Sequence, residues 1–233
     1  GWGFTGQAGY VATRQVRQLG YVELNPGRPG LGNAGRPLFA KFGRAASTQD
    51  TAPTGTGHYD SLQTTLERRL SKGFHFQAAY TWSKATGICC NDRSDLSPGI
   101  NLPEYYRLNR AVTGYDRPHN LQIASMYELP FKRNIVVRGW QINGIFGSYS
   151  GLPFSVAAAA TSLDAPGNTQ RADQVKAGVQ KLGGAGRGQA FYDPFAFAPV
   201  TQARFGTAGF NSLRGPGTVN LDTGIFRQFD VSE

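Results

Sequence analysis

Residues 74–83 alternate without a break between two kinds of side chain. Phe74, Phe76, Ala78, Tyr80 and Trp82 fall on one side, and His75, Gln77, Ala79, Thr81 and Ser83 on the other. A period of 2 predicts a strand with one apolar and one polar face. Ser71-Lys72-Gly73 just before it reads as a short turn, with Gly73 free to take the positive φ that tight hairpins need. The preceding segment 59–70 is ambiguous. Tyr59, Leu62, Leu66 and Leu70 recur at helical spacing, with Asp60 near a possible N-cap, yet Leu62, Thr64, Leu66 and Leu70 also share one strand face. A segment that runs through so short a turn into a strand makes a hairpin, so 59–70 is read as strand.

The same alternation recurs along the chain. Residues 8–24 alternate loosely and predict a first strand. The Gly-, Pro-, Ser- and Thr-rich stretch 25–57 reads as loop. Within it, Gly30-Leu31-Gly32-Asn33-Ala34-Gly35 has the spacing of a dinucleotide fingerprint. That motif needs a strand before it and a helix after it, whereas Asn25-Pro26-Gly27-Arg28-Pro29 precedes this one and Arg36-Pro37 follows, so these are loop glycines. A second loop is expected over 85–117. In the strand 118–129, Leu121, Ile123, Ser125, Tyr127 and Leu129 oppose Asn120, Gln122, Ala124, Met126 and Glu128. Pro130 to Asn134 turn the chain into a strand over 135–150, with Val136, Trp140, Ile142 and Phe146 against Gln141, Asn143 and Tyr149. A very long loop is expected over 151–218, with a short polar helix as an option at 170–181. Val219, Leu221, Thr223 and Ile225 then alternate with Asn220, Asp222 and Gly224 in a last strand.

Short turns near 71–73 and 130–134 thus alternate with long loops at 25–57, 85–117 and 151–218. In an up-and-down sheet every second connection lies at the same end, so the long loops share one end. Transmembrane barrels have this asymmetry, with short periplasmic turns and long extracellular loops. From Phe74 to Trp82 is roughly 26 Å at about 3.3 Å per residue. Tilted by about 40°, that is roughly 20 Å, close to the apolar band between the two aromatic girdles of an outer-membrane barrel. The expected fold is therefore all-β: an antiparallel up-and-down transmembrane β-barrel segment of about six strands. Phe74, Phe76, Tyr80, Trp82, Trp140, Ile142 and Phe146 are the expected lipid-facing and girdle residues, with Gln77, Thr81, Gln141 and Asn143 turned to the lumen. Arg68, Arg69 and Arg138 sit beside the short turns, where they can snorkel. Phe191, Tyr192, Phe195 and Phe197 in the longest loop are candidate ligand-recognition residues, since aromatic rings on loops can stack on a bound molecule.

Composition sharpens this picture. Hydrophobic residues make up 39% of the 233, which is low for a soluble core but natural where only every second strand residue must be apolar. No apolar run of 18 or more exists, so a transmembrane helix is excluded from the reading. The net charge of +9 comes from Lys and Arg scattered through Gly/Pro-rich loops. Without a basic helix or a nucleic-acid-binding signature it speaks against nucleic acid and for a loop surface facing anionic lipopolysaccharide.

Little in the sequence suggests a cofactor, a metal or catalysis. Cys89 and Cys90 are too few for a structural zinc site. Asn91, Asp92, Ser94 and Asp95 offer oxygen ligands for calcium but lack the twelve-residue loop with its terminal Glu, and read as solvated loop. His58, His75 and His119 are framed by no carboxylate pair or nucleophile elbow, so no enzyme is expected.

Four blocks carry a resemblance: 59–84, DRPHNLQIASMYELPF at 116–131, GWQINGIFGSYSGLPFSV at 139–156 and FGTAGFNSLRGPGTVNLDTGIFRQF at 205–229. In order and spacing they resemble the late barrel of TonB-dependent outer-membrane receptors, most closely the Oar-like group. The resemblance covers about residues 8–231. It includes Tyr59, Leu62, Arg69, Gly73, Tyr80, Trp82, Ser83, Asp116 to Asn120, Trp140, Gly144, Gly151 to Phe154 and Arg214 to Gly217, all architectural positions of the family. It implies uptake of a large substrate by a barrel of roughly 22 strands around a plug driven by TonB, or an adhesive surface role. The plug, the TonB box and further strands would then lie in parts of the protein outside this sequence, and the chain alone would be a fragment of the barrel.

Overall fold

The structure, a computed structural model, describes residues 3–88, 98–131, 138–184 and 186–229. Eleven strands are found among these residues. The first three are long: β1 (Phe4–Glu23), β2 (Gln49–Ser71) and β3 (Phe74–Ile88); β4 (Arg110–Val112) has three residues. Then come β5 (His119–Glu128), β6 (Trp140–Tyr149), the two-residue strands β7 (Pro153–Phe154), β8 (Asp173–Gln174), β9 (Phe197–Ala198) and β10 (Leu213–Arg214), and finally β11 (Thr218–Arg227). The main sheet is an antiparallel meander in the order β1-β2-β3-β5-β6-β11, with β4 added to the upper part of β3. This is the six-stranded up-and-down arrangement expected from the alternation. No helix among the described residues is long and apolar enough to cross a membrane.

The ambiguous segment 59–70 is strand. It pairs with β3 from Gly57↔Gly87 down to Ser71↔Phe74, and the two residues between, Lys72 (φ 52°) and Gly73 (φ 76°), form the turn. Both central residues at positive φ is the type I′ geometry, whose twist suits a two-residue hairpin. Between Arg68↔Phe76 and Ser71↔Phe74 the register shifts by one residue, a bulge just above the turn. The helical spacing of Leu62, Leu66 and Leu70 lost because a strand there satisfies every backbone group through two neighbours at once.

Residues directly opposite in a ladder project to the same side of the sheet. The register therefore assembles whole rows: Tyr10–Leu62–Trp82, Ala8–Thr64–Tyr80–Leu121–Ser148–Val219, and Gly6–Leu66–Ala78–Ile123–Phe146–Leu221. Phe74, Tyr127, Ile142 and Ile225 make another row on this side, and Phe76 and Trp140 lie on it too. All seven predicted girdle residues share this apolar face. Gln77, Thr81, Gln141 and Asn143 share the opposite one, interrupted by Ile145 and Phe226. Nothing among the described residues covers the apolar face: Trp82 is 57% exposed and Leu221 63%. Arg68 stands on it at the turn end, its guanidinium 5.1 Å from the Phe74 ring centre and 5.7 Å from that of Phe4. Arg227 sits likewise 5.7 Å from Trp140. Both cations lie over aromatic rings near the short turns, as snorkelling requires.

Several boundaries differ from expectation. The first strand begins at Phe4 rather than residue 8. Of the expected loop 25–57, the part from Gln49 onward belongs to β2. Pro53 is tolerated there because it falls where the β1–β2 register shifts, between Gln18↔Gly55 and Gly20↔Ala52, so its missing N–H breaks no ladder bond. The expected loop 85–117 starts later, because β3 runs to Ile88. The strand expected over 135–150 begins at Trp140. Arg138 and Gly139 form a turn, and residues 135–137, including Val136, lie outside the described residues. The helical option at 170–181 is not realised: Arg171 bridges to Ala157, and β8 pairs with β9. After the glycine cluster, Pro37–Phe42 do form a single α-helical turn and a half (α1), but no strand leads into it, so the dinucleotide fingerprint still fails.

Gly73 tests the hairpin. An added Cβ would lie 3.0 Å from the Glu128 carbonyl oxygen, at a φ that costs an L-residue about 1–2 kcal/mol. Gly73→Ala should lower the urea unfolding midpoint of the detergent-solubilised protein accordingly. Gly9→Ala, whose Cβ meets nothing within 4 Å, should leave it almost unchanged.

Candidate functional site: the loop layer

The three long connections, 24–48, the described part of 89–118 and 150–217, emerge at one end of the sheet and interlock. Their interior holds the hydrophobic core found among the described residues: Ile100, Leu102, Leu163, Ala165, Phe205 and Phe210, with Ala111 packed against them. Backbone bonds stitch the first loop to the third, with the N–H groups of Gly27, Gly30 and Gly32 donating to the carbonyls of Pro166 (2.7 Å), Leu163 (2.8 Å) and Asp164 (2.8 Å). Thr169 N–H donates to the Gly99 carbonyl of the second loop at 2.7 Å, and Asn211 Nδ2 to the Val112 carbonyl at 2.7 Å. Buried asparagines finish the work. Asn25 donates to the carbonyls of Arg44 and Ala46 and accepts from Leu38 N–H, while Asn109 donates to Ile100 and Tyr106 and accepts from Ile100 N–H. Each side chain replaces backbone partners that irregular chain cannot supply itself.

The longest loop is closed at its base by a clamp. β7 pairs with β10, Pro153 opposite Arg214 and Phe154 opposite Leu213. Gly151 passes so close to Gly215 that an added Cβ would overlap the Gly215 carbonyl. The clamp is thus built from Gly-Leu-Pro-Phe at 151–154 and Arg-Gly-Pro-Gly at 214–217. Arg214 then reaches the buried carboxylate of Asp116, whose side chain is 1% exposed, and donates to the Asp116 carbonyl at 2.9 Å. The second carboxylate oxygen of Asp116 accepts from Ala85 N–H on β3 at 2.5 Å. One ion pair thereby fastens the second loop, the third loop and the sheet to each other.

The four aromatic candidates separate in role. Tyr192 donates its hydroxyl to the Arg214 carbonyl at 2.9 Å and packs against Phe154, so it is part of the clamp. Phe191 stands edge-on to Tyr192, ring centres 5.2 Å apart, with the Lys181 ammonium 4.9 Å from its own. Phe197 lies in β9, while Phe195 is 78% exposed at the base of the excursion 175–196, just before β9. The structure therefore brings Phe191 and Tyr192 together and leaves Phe195 apart. On the same excursion Lys176 bonds Asp193 at 2.6 Å and holds its carboxyl below the ordinary range. The fork of Arg204 does the same for Asp173, with bonds of 2.8 and 2.7 Å.

Among the described residues no three His, Cys, Asp or Glu side chains gather as a metal site. Cys89, Cys90 and the calcium candidates Asn91, Asp92, Ser94 and Asp95 lie outside the described residues. His119 on the apolar face stacks on Tyr80, its Nδ1 2.8 Å from the hydroxyl, a packing arrangement between neighbouring strands.

Up-and-down sheet, bare apolar face and one-ended loop layer form a coherent description, and comparison with known families agrees with it. The family model of the outer membrane beta barrel domain matches residues 1–233. The chain belongs to the outer membrane β-barrel family. No curated protein and no solved structure matches it. Membership places this barrel domain in the bacterial outer membrane and accounts for an apolar sheet face that no described residue covers. The sequence reading named the clamp motifs but missed the arginines of the loop layer and its buried asparagines. Isolated polar residues in Gly/Pro-rich chain carry no periodicity, so their burial leaves no trace in the pattern.

The clamp gives a direct test. Arg214→Ala leaves Asp116 buried without its cation, a loss of roughly 3 kcal/mol, the low end for a broken buried pair because Arg214 is 30% exposed. Limited proteolysis of the purified protein should then cut within 150–217, while the heat-modifiable mobility of the folded barrel persists.

Proposed function

We propose that this domain is barrel wall and extracellular cap of a TonB-dependent, Oar-like receptor that takes up a large substrate. The observation that carries this reading is the interlocked loop layer. A cap with its own hydrophobic core and base clamp can hold a recognition surface in fixed geometry above a polar sheet face, as ligand capture demands. The four sequence blocks that resemble these receptors support the finer assignment. In this reading the apolar face, with Phe74, Phe76, Tyr80, Trp82, Trp140, Ile142 and Phe146, meets membrane lipid. The polar face lines a lumen that a plug domain fills. The outer edges of β1 and β11 have no partner strand among the described residues. Each unpaired backbone group would cost several kcal/mol in hydrocarbon, so further strands must close the barrel. The basic loops suit the anionic lipopolysaccharide around them.

A second reading, a structural or adhesive surface protein, draws on exposed loop aromatics such as Phe42 and Phe195 (76% and 78% exposed), which suit a display surface.

Two experiments separate these ideas. Spin labels at Ala78 and Ala79 in the reconstituted protein should report lipid-soluble quencher at the first and water-soluble quencher at the second. Inverted accessibility would make the apolar face something other than a lipid surface. Removal of residues 176–195 takes out the excursion that β8 and β9 close, with Val175 N–H donating to the Ala196 carbonyl at 2.9 Å; it removes Tyr192 from the clamp but keeps the Asp116–Arg214 pair and every residue of the loop core. TonB-dependent uptake should fall at least tenfold with assembly intact. Uptake that continues without TonB, or cell adhesion lost in its place, would favour the adhesive role.

A further inference from the structure

The loop layer contains a cavity of about 590 Å³ whose lining the proposed receptor role does not explain. Arg107 and Arg110 contribute from the second loop, and Arg171 and Arg204 from the third; Tyr105, Phe205 and Phe210 supply the apolar wall. Tyr105 and Phe205 meet edge to face with ring centres 5.0 Å apart. Four guanidinium groups around one cavity repel one another, and a folded protein normally answers them with carboxylates. Here Arg204 is answered: its fork grips both oxygens of Asp173. The other three have no ion pair among the described residues.

Arg171 is the decisive residue. It is 4% exposed, yet its Nε has no hydrogen-bond acceptor. Its guanidinium lies over the face of Phe210, 4.2 Å from guanidinium carbon to ring centre. Buried charges are normally both paired and hydrogen-bonded, and a ring quadrupole replaces only part of the lost hydration. Burial alone pulls the Arg171 guanidinium down from its ordinary value, which an anion in the cavity would reverse. A guanidinium with a buried, unbonded Nε, beside two arginines that have no ion pair among the described residues, is an arrangement that a planar or tetrahedral oxyanion satisfies.

We propose that this cavity binds the phosphate or carboxylate of an organic ligand, with Arg171 as buried anchor, Arg107 and Arg110 as entry cations and the Tyr105–Phe205 pair against the ligand's apolar part. A volume near 590 Å³ is far more than a lone inorganic ion fills and falls in the range of small-molecule sites. The Arg204–Asp173 pair is the rigid side of the pocket: Asp173 also accepts from Thr207 N–H at 3.1 Å, which fixes the chain beside Phe205. The proposal deepens the receptor reading, on which it rests for its biological setting, but binding itself can be measured without transport.

The test is calorimetric titration of the full-length protein in detergent micelles with phenyl phosphate, and in parallel with lipid A in nanodiscs. Arg171→Gln should weaken binding at least tenfold. The double variant Arg107→Gln/Arg110→Gln, which alters only exposed side chains and so leaves the loop core intact, should weaken it similarly. Arg28→Gln, outside the cavity, should not. This pattern with phenyl phosphate supports a soluble ligand; the same pattern with lipid A alone supports a lipid headgroup. No binding of either probe, or binding that ignores all of these arginines, overturns the proposal. Binding with the expected pattern in a protein that shows no TonB-dependent uptake would leave the cavity standing and remove the transport reading.

Discussion

Everything in this domain depends on the register of one antiparallel ladder. Because side chains alternate with a period of 2, a slip of one residue between β2 and β3 would carry Leu62, Leu66 and Arg68 to the opposite side from Trp82, Ala78 and Phe76. An apolar face would cease to exist. The two-residue turn at Lys72-Gly73 fixes that register from one end, and the bulge above it absorbs the single odd residue. β5, β6 and β11 then inherit the phase through continuous pairing from Phe74↔Tyr127 to Ile142↔Ile225. In a membrane the penalty for a slip is severe, since hydrocarbon accepts neither an unpaired amide nor a misplaced Gln.

The second constraint is that a sheet with lipid on one face has no protein core of its own. What core the described residues have lies in the loops, around Ile100, Leu163, Phe205 and Phe210. This explains why such Gly- and Pro-rich chain is ordered at all. Three loops share one apolar centre, and buried asparagines and the Asp116–Arg214 pair satisfy the irregular backbone around it. Rigid loops on a rigid sheet can present fixed chemistry, and the arginine-lined cavity is built wholly from them.

Much of the sheet was legible in the sequence. Phe74 to Trp82, Leu121 to Leu129 and Val219 to Ile225 each announce a strand by alternation alone, and the spacing of short and long connections announces that the loops share an end. The errors fell where local signals mislead. Thr- and Gly-rich residues 49–57 look like loop because β1 supplies their reason to be strand from distant positions, Glu23 for Gln49 through to Gln15 for Gly57. Residues 170–181 look weakly helical because nothing local says that Ala172 N–H donates to Val156 and Val175 N–H to Ala196. Both are cases in which a distant partner outweighs local preference.

The sequence by itself therefore determined the six long strands of the main sheet, the two faces and the end at which the loops gather, because each follows from short-range periodicity and chain connectivity. Only the tertiary structure decided which loop residues meet. That Arg107, Arg110, Arg171 and Arg204 surround one cavity depends on a shared apolar centre drawing together segments nearly a hundred residues apart. Hydrophobic burial is non-directional and leaves no repeat in the chain, so its outcome in aperiodic loops is fixed by packing and not by pattern.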